Sequence, residues 1–321
     1  NVIKGKAGSP YAIKDYYDID PDIAEDVPNR IGEFKSLVDR THKVGMKAII
    51  DFVPNHVARR YHSDVRPNGE HDFGEDDDTT QWFNSNNNFY YINEPFAPHF
   101  SLGEGKDRYE ENPAKATGNN CFSAHPGMCD WYETVKLNYG IDYSNNNWHF
   151  SPIPDTWQKM LKIISYWAAM GVDGFRCDMA FMVPVEFWNW MIPKIKKEYP
   201  NVIFIAELYD THIYRQFLFD GHFDYLYDKV NLYDTLRAVM CGFDSASRLS
   251  QCWHVVDGIG HKMLNFLENH DEQRIASPQF AGDARKGIPA LIVSATMSTG
   301  PFLIYQGQEL GEPAADAEGF S

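Results

Sequence analysis

DTWQKMLKIISYWAAMGVDGFRCD, residues 155–178, reads as a helix, a glycine stop and a short buried strand. Asp155 is the expected N-cap, and Trp157, Leu161, Ile164 and Ala168 fall on one helical face. Gly171 ends the helix, and VDGFRC (172–177) is apolar enough to be covered on both sides. A helix feeding such a strand across a tight turn is the signature of an α/β sheet.

The same unit recurs on either side. Upstream, IGEFKSLVDRTHKVG (31–45) predicts a helix with Phe34, Leu37, Val38 and Val44 as its apolar stripe, and KAIIDFV (47–53) a strand. Downstream, a helix at 186–198 leads to a strand at 202–206. A strand at 223–227 precedes a helix at 230–240, a strand at 262–267 precedes a helix at 284–297, and PFLIY (301–305) closes the series. Short strands alternating with helices predict parallel pairing. No glycine-rich phosphate loop follows the first strand, which argues against a dinucleotide-binding fold. Residues 57–150 break the rhythm with Asn clusters and many aromatic residues. So long a structureless loop is improbable, and an inserted subdomain is expected there. The acidic run Glu75–Asp78 within it reads as a solvated loop.

Composition narrows the functions. The 321 residues suffice for a sizeable core. Asp and Glu outnumber Lys and Arg by 45 to 29, a formal charge of −16, and no basic stripe offsets it. That balance excludes nucleic-acid backbones, anionic membrane surfaces and polyanionic substrates. No apolar run approaches the roughly 20 residues of a transmembrane helix. Of five cysteines, Cys121 and Cys129 are close enough in sequence to bridge, and Cys177 reads as a buried thiol. An odd total fixes no redox compartment, so localisation and oligomeric state stay open.

The charged residues fall at particular places. Asp51 ends the first strand, with Asn55 and His56 just beyond; Arg176 and Asp178 end the second; Glu207 ends the third; His270 and Asp271 follow the strand at 262–267. Taken singly, a strand-end Asp is more often a cap or turn former, and a lone His a satisfied hydrogen-bonding residue. Taken together, carboxylates at the carboxyl ends of parallel strands point to one shared pocket. Packing gives no reason to gather like charges, whereas acid–base chemistry does. The residues alone thus predict a polar-substrate hydrolase on an α/β barrel.

Four stretches carry a family likeness. DFVPNH (51–56), GVDGFRCD (171–178), IFIAE (203–207) and FLENHD (266–271) resemble, in order, the four motifs of the α-amylase family of glycoside hydrolases, family 13. SPYAIKDYY (9–17) and PFLIYQGQELG (301–311) are similar to further family segments. The resemblance implies a (β/α)8 TIM barrel with a subdomain inserted after the third strand. It divides the chain into barrel (1–56), inserted subdomain (57–150) and continued barrel (151–321). On that alignment the first two strands and the C-terminal β-sandwich lie outside the 321 residues.

By the same resemblance, Asp178 is the nucleophile, Glu207 the general acid and base, and Asp271 the third catalytic carboxylate. Tyr11, His56, Arg176 and His270 would bind substrate, Asp51 and Asn55 would support them, and Gln308 and Glu309 would shape the rim. Two carboxylates about 5–5.5 Å apart would act with retention through a covalent glycosyl intermediate. The implied reaction is hydrolysis of α-1,4-glucosidic bonds in starch or maltooligosaccharides. A neopullulanase- or cyclomaltodextrinase-like hydrolase or an α-glucan transglycosylase is the alternative, and a non-enzymatic carbohydrate-binding module a minor one. The chemistry requires no cofactor.

The family's structural calcium is left open. Lys136, in VKLNY (135–139), stands where calcium-binding members carry an Asp. Many members carry Lys-His shortly after the nucleophile, the histidine's backbone helping to bind the ion; here the stretch reads Met179-Ala180-Phe181-Met182, while Asn55 keeps its usual place. The Lys form resembles the branch of neopullulanases, cyclomaltodextrinases and maltogenic amylases. No metal ligands are assigned.

Overall fold

The computed structural model describes residues 9–101 and 109–313. The fold is an incomplete (β/α)8-like barrel with six parallel strands where closure takes eight. The chain divides into two compact units, Asn1–Ile203 and Phe204–Ser321.

In the first unit, helix α1 (Arg30–Lys43) leads into strand β1 (Ile49–Phe52). Six short strands follow in the insertion: β2 (His56–Ala58), β3 (Tyr91–Ile92), β4 (Ala114–Lys115), β5 (Thr134–Lys136), β6 (Ile141–Asp142) and β7 (Asn147–Trp148). They pair antiparallel as β2 with β5, β3 with β4, and β6 with β7. Helix α2 (Asp155–Ala169) then feeds β8 (Gly174–Cys177), and α3 (Val185–Glu198) leads to β9 (Ile203–Ala206). β8 pairs parallel with β1, setting Asp51 opposite Arg176 and Phe52 opposite Cys177. Ile203 extends this edge by donating its N–H to Asp173 O at 3.0 Å.

Several local expectations shift. Pro154, not Asp155, is the N-cap of α2. Asp155 lies in the first turn, where its carboxylate bonds Asn88 Nδ2 at 2.9 Å and Lys159 Nζ at 3.0 Å. Along α2, Trp157, Ile164 and Ala168 are buried and Leu161 half-buried. Along α1 only Val38 is fully buried. Phe34 packs edge-on against Trp167, with ring centroids 5.2 Å apart. Leu37 and Val44, about 60–80° round the helix from Phe34, are exposed. Cys121 and Cys129 are free thiols, as is the buried Cys177.

The insertion is stitched down by buried polar groups. Lys159 Nζ donates to Asp72 O at 2.9 Å and Asn88 Oδ1 at 2.8 Å, besides pairing with Asp155. Within the acidic run, Asp77 is more than a solvated charge: it accepts from the Asn88 and Phe89 amides and the Tyr91 hydroxyl at 2.7–3.0 Å. Gly140 closes the last turn at φ +88, and a Cβ there would lie 2.6 Å from His149 O. Glycine is required at that position.

The second unit is a four-stranded parallel sheet: β9, β10 (Tyr225–Tyr227), β11 (Met263–Phe266) and β12 (Phe302–Leu303). Helices α4 (Tyr214–Phe219), α5 (Asp234–Met240), α6 (Leu249–Val255) and α7 (Ile288–Thr296) accompany it. The helix expected at 230–240 opens as a π-helical turn, Lys229–Tyr233, held by Asp228, whose carboxylate accepts the Leu232 amide at 3.4 Å. Among the described residues, no helix is long and apolar enough to cross a membrane.

Phe187 is fully buried, its ring 4.9 Å from Tyr139, 5.6 Å from Trp157 and 5.0 Å from Trp188. Phe187→Ala leaves a cavity and is expected to cost about 3–5 kcal/mol, read as a lower urea midpoint by circular dichroism.

Candidate active site

Two hydrogen-bonded groups in the first unit contain every residue predicted from its strand ends. The first follows from strand register. Asp51 and Arg176 are partners across parallel strands and so project on the same face, and Asp178, two residues on, shares that face. The Arg176 guanidinium donates from one nitrogen to Asp51 Oδ1 at 3.0 Å and to Asp178 Oδ1 at 2.9 Å. Arg176 and Asp178 are each 7% exposed, so water screens the pair little. The Asp178 amide is itself tied to Phe52 O at 2.8 Å.

Tyr11 reaches the same group. Its hydroxyl donates to Asp51 Oδ2 at 2.8 Å, and its ring centroid lies 5.8 Å from the Arg176 guanidinium. Burial, and then the Asp51 charge, push the phenol far above its ordinary value, so it remains a donor. Asp51 therefore bridges Tyr11 and Arg176.

The second group is Lys136, Asn55 and His56. β2 and β5 pair His56 with Lys136, which brings the ammonium beneath the preceding loop. Lys136 Nζ donates to Asn55 Oδ1 and, at 3.3 Å, to Met182 O. The Asn55 amide is thereby fixed with its oxygen toward the lysine. Its nitrogen then donates to Gly118 O at 2.8 Å and faces His56 Nδ1 at 3.1 Å. An acceptor at Nδ1 places the imidazole proton on Nε2. Burial, helped by the Lys136 charge, lowers the His56 pKa to about 3, so the ring is neutral. Burial lowers that of Lys136 to about 7.

A calcium ion at this spot would have to displace the Lys136 side chain. Asn55 Oδ1 and Met182 O, two oxygens side by side here, both accept from Lys136 Nζ instead. A hard dication needs six or more oxygens and no competing positive charge, and the residues do not fit it there. Among the described residues, no group of three or more His, Cys, Asp and Glu side chains is placed to hold a metal.

The second unit holds the remaining candidates. Glu207, 1% exposed, follows β9 and accepts the Tyr209 hydroxyl at 2.7 Å. His270 Nε2 lies 3.1 Å from Asp271 Oδ2, and the Asp271 amide bonds Asn269 Oδ1 at 2.9 Å. The loop carrying them is pinned by buried Glu268, which accepts Arg274 Nη1 at 3.0 Å and the Ile275 amide at 2.7 Å. Gln308 turns inward to accept the Tyr305 amide at 3.1 Å, and Glu309 is exposed. Sequence reasoning passed over Tyr209, Glu268 and Arg274. The i+2 spacing of Tyr209 from Glu207 was the available signal, because residues two apart on extended backbone share a face.

The α-amylase catalytic-domain family matches residues 6–318, and the chain belongs to that family of glycoside hydrolases. It is 25% identical over 316 residues to α-amylase 3 of Dictyoglomus thermophilum, covering 94% of this chain and 53% of that protein. It is also 25% identical over 323 residues to a cyclomaltodextrinase of a Bacillus species, covering 97% and 48%. The cyclic α-maltosyl-(1→6)-maltose hydrolase of Arthrobacter globiformis shares the fold, with a TM-score of 0.69 at 20% identity, covering 97% of this chain and 60% of that one. The chain thus spans about half the length of these two curated relatives.

The low His56 value has a measurable consequence. Between pH 6.5 and 3 the unfolded chain takes up a proton that the native imidazole refuses, so this contribution to stability is full above pH 6.5 and is lost as pH falls. Lowering the pH from 7 to 5 is expected to remove roughly 2 kcal/mol through this residue. Urea midpoints of the wild type and His56→Gln at both pH values isolate it, the variant showing the shallower pH dependence.

Proposed function

We propose that the chain carries the catalytic machinery of a retaining α-glucan hydrolase of the cyclomaltodextrinase kind, with transfer to a sugar acceptor as the second fate of the same intermediate. The observation that carries the reaction is the Arg176–Asp178 pair at 2.9 Å, which orients a buried carboxylate by a charge-assisted bond. In this reading Asp178 attacks the anomeric carbon as the glycosidic bond breaks, and Glu207 protonates the departing oxygen. Glu207 then takes a proton from water or a sugar hydroxyl, which attacks the intermediate and frees Asp178. Tyr209 acts on Glu207 by holding its Oε1 in one orientation.

Asp271 and His270 grip sugar hydroxyls in this scheme, and neutral His56 donates from Nε2. Tyr11, tied through its hydroxyl to Asp51, offers a ring face to the pyranose. No cofactor enters any step. The fixed ammonium of Lys136 supports calcium-independent folding of this region.

The cyclomaltodextrinase reading rests on two supports. Lys136 occupies the cradle of Asn55 and Met182, and a cyclomaltodextrinase is among the relatives that match along nearly the whole chain. Hydrolysis of α-1,4 bonds in starch is the second reading, favoured by the α-amylase relative. Incubating the full-length protein separately with cyclodextrin, pullulan, soluble starch and maltoheptaose separates them. Preferred cleavage of cyclodextrin with α-anomeric products is expected. Preferred attack on soluble starch, with cyclodextrin untouched, overturns the first reading in favour of the second.

Asp178→Asn is expected to lower kcat by at least about 10³-fold, with the unfolding midpoint within a degree or two and maltooligosaccharide binding kept. Near-normal turnover rules out the nucleophile role. Glu207→Gln is expected to lose far more activity on a natural glucan than on an α-glucosyl fluoride, whose leaving group needs no proton. Equal losses on both substrates contradict the acid role.

A further inference from the structure

The second unit contains a cavity of about 440 Å³ that none of the residues discussed as catalytic lines. That volume is within the range of about 300–1,000 Å³ typical of small-ligand sites. It opens between α6 and the end of α7, with β11 as its floor. The parallel register pairs Leu226 with Met263 and Tyr227 with Leu264, so Asp228 and Asn265 come next to each other on one face. Both line the cavity, at 2% and 5% exposure. The helix-facing side of a parallel sheet is normally apolar, so two adjacent oxygen acceptors there need an explanation.

Their hydrogen bonds differ. The Asp228 carboxylate accepts from Asn231 Nδ2 at 3.1 Å, Tyr214 Oη at 3.4 Å and the Leu232 amide at 3.4 Å. Asn265 sends its amide nitrogen to Ser294 O at 3.0 Å, and among the described residues its Oδ1 has no hydrogen-bond donor. A buried carbonyl oxygen without a donor is destabilising, and a ligand donor would relieve it. The wall also carries the Trp253 ring, which is 55% exposed, the hydroxyl residues Thr296, Ser298 and Thr299, and one further carboxylate and imidazole, Asp257 and His261, among apolar side chains. No Lys or Arg lines it.

We propose that this cavity is a second ligand site, for a neutral sugar of one or two rings. An O–H donor satisfies Asn265 Oδ1, and further hydroxyls exchange hydrogen bonds with the three hydroxyl side chains. The flat C–H face of a pyranose covers the Trp253 ring. A neutral donor suits the site better than a cation, because Asp228 already has three neutral donors and the deficit is an uncharged carbonyl. The site stands independently of the reaction proposed above.

Titrating the full-length protein with D-glucose and with maltose, by calorimetry and by Trp fluorescence, tests it. Asn265→Leu removes the acceptor at similar volume, and Trp253→Ala removes the rim ring without touching the core. Each is expected to weaken one class of sugar binding by at least fivefold, while kcat/KM on a maltooligosaccharide stays within twofold. Isotherms unchanged in the Trp253→Ala variant overturn the proposal, as does saturable binding of n-butylammonium in the cavity with none of sugar. Absence of glucan turnover in the wild type instead rejects the proposed reaction and leaves this binding test intact.

Discussion

One guanidinium held between two carboxylates organises the first unit. Arg176 reaches Asp51 because β1 and β8 pair in parallel register, and it reaches Asp178 because residues two apart on a strand share a face. Neither contact depends on loop conformation. A buried carboxylate without such a partner would tend to protonate, and a protonated carboxyl is a poor nucleophile. The sheet must therefore keep its register for the chemistry proposed at Asp178. A one-residue slip would turn Arg176 and Asp178 together toward the opposite face and take the guanidinium away from Asp51.

Fixed ammonium groups play the corresponding part in the insertion. Lys159 gathers a backbone carbonyl, an amide oxygen and the Asp155 carboxylate, while Lys136 gathers an amide oxygen and a backbone carbonyl. Each has as many donor hydrogens as those partners require or more, and each joins segments far apart in sequence. Through Asn55, the Lys136 contact also decides which nitrogen of His56 carries its proton. A residue that touches no substrate in the proposed mechanism thereby sets the hydrogen-bonding sense of one that does.

Much of this was legible in the sequence, for identifiable reasons. The six parallel strands announce themselves as short, largely apolar runs, and the charged residues at their ends follow from counting along those runs, whereas the short helix α4 before β10 carries no pattern long enough to read. Arg176 and Asp178 could be placed on one face from spacing alone. Position around a helix was less legible: Leu37 and Val44 look like core by periodicity, yet the covered side of α1 is narrower than its apolar stripe. The cap of α2 falls at Pro154 because Asp155 is drawn into bonds with Asn88 and Lys159. Contacts such as Tyr209 to Glu207, or Lys159 to Asp72, depend on where loops return, and local pattern does not carry that.

The Asp51–Arg176 pair also sets an order of events during synthesis. Its members are 125 residues apart, an interval of roughly 6 to 25 seconds at ordinary ribosomal rates of about 5–20 residues per second. Local hairpin closure takes microseconds. The antiparallel ribbons of the insertion therefore have ample time to form before β8 is there to pair with β1. β1 is short and carries an acidic side chain within it, Asp51, which is poor material for pairing with another nascent chain.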